Sequence, residues 1–239
     1  MFYYQLYPNL TLPGVKYLPY ASGHTVKNAE IYFNTNLLDH FTLLNSPPLF
    51  DYFSLISISK KGPNESALLD FYDFAGTIYP RVNGYLISDR FKKILDQFTM
   101  PPNTMFYPAK LMFHGEKLDY FIFQYTFNYL TQLDYINSTW QYSNSKFGTI
   151  DLSEGCTELD FKLKDIDHYH KYQELDIKES NIILKEVYFS DYADLLYVKG
   201  ITNYAISEPL KDAIEIAKIS PALIKHNSLI NFHFHNGTP

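Results

Sequence analysis

The side chains best suited to chemistry sit in two short stretches. Asp165, Asp167, His168 and His170 crowd into DIDHYH, and His233 and His235 form an H-x-H in LINFHFH. Carboxylates beside imidazoles suit a hard or borderline divalent metal. Alternate residues of a strand point to one face, so an H-x-H can present two ring nitrogens together. A closed metal shell needs more ligands than either stretch supplies, and no third cluster is placed to complete one. The expectation is a solvated turn for DIDHYH and a polar or frayed edge strand for the two histidines. No metal and no cofactor is assigned.

Other catalytic patterns are missing from the chain. It carries no G-x-S-x-G, no G-x-G-x-x-G, no Walker loop, no H-E-x-x-H and no C-x-x-C. With eight His, a Ser-His-Asp set could be drawn on paper from many such chains, so its presence discriminates nothing. No catalytic residue is assigned, no binding residue is assigned, and the chain reads as a non-enzyme.

Composition narrows the class further. Hydrophobic residues make up 46% of 239 positions and aromatics 18%, with 22 Tyr and 19 Phe. That load argues for strand-rich packing and against disorder. The formal charge is −6, and Arg81 and Arg90 are the two arginines. A nucleic-acid binder would carry net positive charge and more arginine, so no nucleic-acid partner is expected. The single Cys156 cannot form an intramolecular disulfide, which fits a reducing compartment. The opening MFYYQLYPNLTLPG lacks a basic n-region, and no run of about 18 apolar residues exists. A cytoplasmic protein without a membrane partner is the expectation.

The elements that must carry any site follow from local patterns. ISDRFKKIL after Leu86 reads as a helix capped by Ser88, with Asp89 in the first turn where the dipole favours an anion. Phe91, Ile94, Leu95 and Phe98 form its apolar stripe, Lys92 and Lys93 its wet face, and Pro101-Pro102 forbid continuation. TMFYPAKLMF and KLDYFIFQYTF flank His114-Gly115-Glu116 as a β-hairpin. AISEPLKDAI near the end repeats the helix start, with Ser207 as cap and Leu210, Ala213, Ile214 and Ala217 as stripe. Either a duplicated half-domain or the common Ser-acid-x-apolar helix start explains the pair. Elsewhere YFNTNLLDHFTLLN has helical spacing after Asn36, DYFSLISIS reads as a strand, and ALLDFYDF is ambiguous. Residues 151–180 hold nine acids against four lysines, a net −5. That segment reads as a solvated face or as a surface that steers a basic partner.

The fold class is therefore α+β: mainly antiparallel sheet with a few amphipathic helices, two of them Ser-capped and similar in sequence. Residues 1–85 form an N-terminal portion packed on the rest, and residues 86–239 a second α+β domain.

LISDRFKKILDQFTMPPNTMFYPAKL, the hairpin after it, TQLDYINSTW, and LYVKGITNYAISEPLKDAIEIAKI come in an order that resembles a bacterial family. That family is the immunity proteins of polymorphic toxin systems, formerly a domain of unknown function. Its Ser-capped helix, FYP segment, D-x-x-x-S stretch and final Ser-capped helix fall here at Ser88–Phe98, Phe106–Pro108, Asp134–Ser138 and Ser207–Lys218. The resemblance covers roughly residues 50–225; Ile219-Ser220-Pro221 departs from the Thr-Gly usual after the last helix. It implies a non-enzymatic cytoplasmic inhibitor that binds a cognate toxin protein domain. A metal-dependent enzyme, or a small-ligand module with an aromatic pocket, are the competing classes.

Overall fold

The computed structural model describes residues 3–8, 20–22, 50–56, 68–74, 84–102, 104–125, 129–143, 156–175, 181–197, 204–220, 222–226 and 230–236. The expected helix after Asn36 lies outside them. The chain divides into two compact units, one of Tyr7–Phe127 with Leu210–Leu223, the other of Met1–Leu6, Asn128–Pro209 and Ile224–Pro239. A boundary at residue 85 falls inside a strand, because Gly84–Ser88 is hydrogen-bonded on both sides within the first of these units. The architecture is α+β, mostly sheet and mainly antiparallel.

The first unit is built on a six-stranded sheet in the order β2-β3-β6-β7-β5-β4. Its strands are β2 (Tyr20–Ser22), β3 (Phe50–Ile56), β4 (Phe71–Tyr72), β5 (Gly84–Ser88), β6 (Thr104–Phe113) and β7 (Glu116–Tyr125). The ambiguous ALLDFYDF thus resolves into the short β4, whose Phe71 and Tyr72 are both buried. The β6–β7 hairpin pairs from Thr104↔Tyr125 to Phe113↔Glu116. Two residues turn it, His114 at φ 48° and Gly115 at φ 85°, the double left-handed geometry that matches strand twist. Nothing lies within 4 Å of a Cβ built on Gly115, so only its backbone would object to a side chain. Gly115→Ala is expected to cost about 1 kcal/mol, read as a lower urea midpoint with an unchanged slope.

Pro108 ends the FYP segment in the middle of β6, where it offers no N–H. Pairing of β6 with β3, which is parallel, begins one residue later at Phe50↔Ala109. Phe50, Phe53, Leu69, Tyr72, Leu86, Leu111 and Ile122 fill the core behind this sheet.

Helix α1 (Asp89–Leu95) follows β5, and Ser88 Oγ accepts from the Phe91 N–H at 3.1 Å. Phe91 and Leu95 are buried while Ile94 and Phe98 are half-buried, so the expected stripe faces inward. Lys92 differs from its expected wet position. It is half-buried, reaching Asp96 while its ammonium lies 4.9 and 5.4 Å from the ring centroids of Phe106 and Phe121. A long aliphatic stem can cover apolar surface while the charge stays paired.

One carboxylate ties this unit together. Asp70 Oδ1 accepts from Ser88 Oγ at 2.8 Å and Arg90 Nε at 3.1 Å, while Oδ2 takes Arg90 Nη2 and the Ser220 N–H at 2.9 Å. The Ser88 N–H donates to the Asp70 carbonyl, and Tyr120 Oη donates to the Leu69 carbonyl at 2.5 Å. Burial pushes the Tyr72 hydroxyl, which accepts from the Leu69 N–H, up to about 12 and the Tyr120 hydroxyl higher still, so both stay protonated at any ordinary pH.

The second unit carries two four-stranded sheets, β11-β12-β1-β13 and β14-β10-β8-β9. The first comprises β1 (Tyr3–Pro8), β11 (Leu195–Tyr197), β12 (Tyr204–Ser207) and β13 (Ala222–His226). The second comprises β8 (Thr139–Ser143), β9 (Cys156–Phe161), β10 (Asn181–Asp191) and β14 (Asn231–Asn236). Tyr3 joins them, its ring 4.6 Å from Phe232 and 5.8 Å from Phe234. Helix α2 spans Ile166–Leu175. Helix α3 (Glu208–Ile216) follows β12 at Ser207 and passes into the first unit from Leu210 on; its Leu210 and Ile214 are buried. Asp194 again takes a serine: Ser207 Oγ and Tyr192 Oη both donate to its Oδ1, and the Ser207 N–H donates to its carbonyl.

Candidate functional site

DIDHYH is a helix start rather than the expected solvated turn. Asp165 Oδ1 accepts from the His168 N–H at 2.8 Å, and His168 Nδ1 accepts from the Lys164 N–H at 3.3 Å. The two side chains therefore cap the first turn of α2 reciprocally. Both side chains reach backbone groups. Tyr169 of the same stretch is buried 5.2 Å from the Trp140 ring, which anchors the helix. Asp165, Asp167, His170 and Lys171 are exposed.

The H-x-H lies on β14, which runs parallel to β10 with Tyr188 opposite His233. Strand β14 is the edge strand of its sheet, as expected, and Glu186–Asp191 holds it in register. His233 stacks flat on Tyr188, centroids 4.3 Å apart at 9°, with His235 at 5.9 Å from the same ring. His233 Nε2 is buried with no hydrogen-bond partner among the described residues. His235 Nε2 meets Asp134 Oδ2 at 2.7 Å.

Asp134 belongs to the D-x-x-x-S stretch, and the structure explains that spacing. The Asp134 N–H donates to the Tyr188 carbonyl at 2.8 Å, and Ser138 Oγ accepts from the Tyr188 N–H at 3.0 Å. Asp and Ser four apart thus clip one turn onto both backbone groups of a single β10 residue. Within the turn, Asp134 accepts from the Asn137 N–H at 3.0 Å and from Asn137 Nδ2 at 2.6 Å, and the Ser138 N–H bonds the Asp134 carbonyl at 2.9 Å. Lys162 Nζ holds the Asn137 carbonyl and Thr139 Oγ1. Ile136 at the tip is 73% exposed, a large apolar side chain on a turn with little freedom left.

Chemically, this cluster is a hydrogen-bonded turn whose one carboxylate is taken up by its neighbours. Asp134 is occupied by Asn137 and His235, so it is poorly placed to take a proton from a substrate. Among the described residues, no group of three or more His, Cys, Asp and Glu converges on a point where a metal could sit. No helix among them is long and apolar enough to cross a membrane.

Burial pushes the Asp134 carboxyl up, but the Asn137 side-chain and backbone donors and His235 outweigh it, leaving it below the usual carboxylate range. A depressed folded-state value stabilises the protein above the unfolded value, about 3.9, and that contribution is lost as pH falls through the folded value. Asp134→Asn should therefore lower the urea midpoint at pH 6 and have progressively less effect below about pH 4.

Sequence reasoning missed Asp70, Asp194, Tyr3 and Tyr120. The only signal was an aspartate after an apolar residue and before an apolar pair, at LDFY and ADLL. Compared with known proteins, the chain matches no family model, no curated protein and no solved structure.

Proposed function

We propose that this chain is an immunity protein of a bacterial polymorphic toxin system, a non-enzymatic cytoplasmic protein that binds a cognate toxin domain and neutralises it. The observation that carries the reading is the ordered run of four stretches: the helix at Ser88–Phe98, the FYP segment, the D-x-x-x-S stretch, and the helix at Ser207–Lys218. In this reading Ser207 caps its helix as Ser88 does. The turn at Asp134–Ser138 supports it, because a pre-ordered turn with an exposed Ile136 loses little entropy on docking. The exposed Asp165 and Asp167, in a segment of net −5, support a basic partner such as a nuclease domain. Tyr and Phe in abundance supply contact area with a polar handle.

The test is association kinetics with the toxin-like domain encoded by the neighbouring gene. Neutralising Asp165, Asp167, Glu174 and Asp176 together is expected to slow association about tenfold at low salt. The effect should shrink as ionic strength rises, with dissociation nearly unchanged. An equal association rate for both proteins at low salt would remove the acidic face from the interface. Failure of the unmodified chain to bind or protect against that domain would remove the function.

A further inference from the structure

We infer that the chain contains two copies of one folding unit, and that strand β1 is the displaced last strand of the second copy. The first copy runs β4-β5-α1-β6-β7 in sequence and lies β4-β5-β7-β6 in its sheet. The second runs β11-β12-α3-β13 and lies β11-β12-β1-β13. Strand β1 therefore stands between β12 and β13 where β7 stands between β5 and β6.

The correspondence holds residue by residue. Phe71↔Ile87 and Tyr72↔Leu86 pair β4 with β5 antiparallel, as Leu195↔Ile206 and Leu196↔Ala205 pair β11 with β12. On the other side, Ser88 faces Tyr120 of β7 and Ser207 faces Tyr3 of β1, again antiparallel. In each copy the serine sends its N–H to the carbonyl and its hydroxyl to the carboxylate of one aspartate, Asp70 or Asp194. In each the facing tyrosine sends its hydroxyl to the carbonyl just before that aspartate, Leu69 or Ala193. The helices agree too: Phe91 and Leu95 are buried like Leu210 and Ile214, and Lys92–Asp96 recurs as Lys211–Glu215.

A shared helix-start pattern would account for the serine, the acid and the apolar stripe. It does not account for two tyrosines on different strands finding the same carbonyl, 51 residues away in one copy and 190 in the other. The copies differ after the cap acid, where Arg90 grips Asp70 and Pro209 stands in its place. Closing a second copy with β1 makes its sheet depend on a contact between Tyr3 and Ala193, 190 positions apart.

A permuted chain tests this. Residues 1–8 are removed from the start and placed after His226 through an Asn-Gly turn, with a Gly/Ser linker back to Asn227. A control keeps residues 1–8 in place and carries a Gly/Ser insert of equal length. The expected result is that the permuted chain keeps the Tyr204–Ser207 amides protected from hydrogen exchange as the unmodified chain does. Free exchange there, with the control protected, overturns the inference. If both chains lose protection, Tyr3→Phe and Tyr120→Phe in the unpermuted protein decide. Equivalent tyrosines should speed exchange of the Ser207 and Ser88 amides respectively, each by roughly fivefold to tenfold, and Tyr4→Phe should change neither. Acceleration at only one serine, or at neither, overturns the inference.

Discussion

Asp70→Ala is expected to cost about 2–4 kcal/mol, among the largest single effects available in the unit of Tyr7–Phe127. The Asp70 side chain is 10% exposed and accepts from Ser88, Arg90 and the Ser220 N–H. Alanine leaves the serine hydroxyl and the Ser220 N–H without their acceptor in a half-buried place, where water replaces it poorly. Arg90 contributes less to the loss, because its side chain is 57% exposed and water can solvate the freed guanidinium. Arg90→Ala should consequently cost under about 1 kcal/mol. The Asp70 backbone also links Ser88 and Ser220, donating to one carbonyl and accepting from the other N–H. Those bonds survive the substitution, which should leave a folded but weakened protein. Urea denaturation of the two variants checks the ranking; an arginine variant as weak as the aspartate one would mean the ion pair dominates.

Which parts of this fold can be read from the chain depends on how far apart the cause and the effect lie. Helix α1 and the β6–β7 hairpin are legible because a cap, a stripe, a Pro pair and a turn Gly all act within a few residues. The partners of those elements are not legible. Asp70 matters through Ser220, 150 positions away, and Tyr3 through Ala193, 190 positions away. No local pattern encodes that pairing, and the repeated serines show only half of it.

DIDHYH shows a different kind of failure. The expected solvated turn passes over an equally visible cap: Asp165, then Ile166 and Tyr169 three apart, then His168 in reach of the backbone. Tertiary packing settles it, since Tyr169 has Trp140 to bury against. The D-x-x-x-S stretch was read only through resemblance. Its physical reason, the Asp134 N–H and the Ser138 hydroxyl four residues apart clipping one residue of β10, requires knowing that β10 passes there.

Trp140→Ala is expected to destabilise the protein by about 3–5 kcal/mol, while Trp140→Phe should cost under about 1.5 kcal/mol. Trp140 is 1% exposed on β8, a strand paired with both β10 and β9. Its indole lies between Tyr135, stacked at 6.3 Å and 14°, and Tyr169 at 5.2 Å. Alanine empties a space framed by strand backbone on two sides, which cannot collapse to fill it. Helix α2 would lose its aromatic anchor as well. Phenylalanine keeps a ring between the tyrosines and removes the indole N–H, which is buried without a hydrogen-bond partner among the described residues. Deleting such a donor relieves a desolvation penalty, and that gain offsets part of the lost volume. Far-ultraviolet circular dichroism through a urea titration measures both variants, since the chain's one tryptophan is gone from each. A phenylalanine variant as unstable as the alanine variant would show that the indole nitrogen holds a bond the fold depends on.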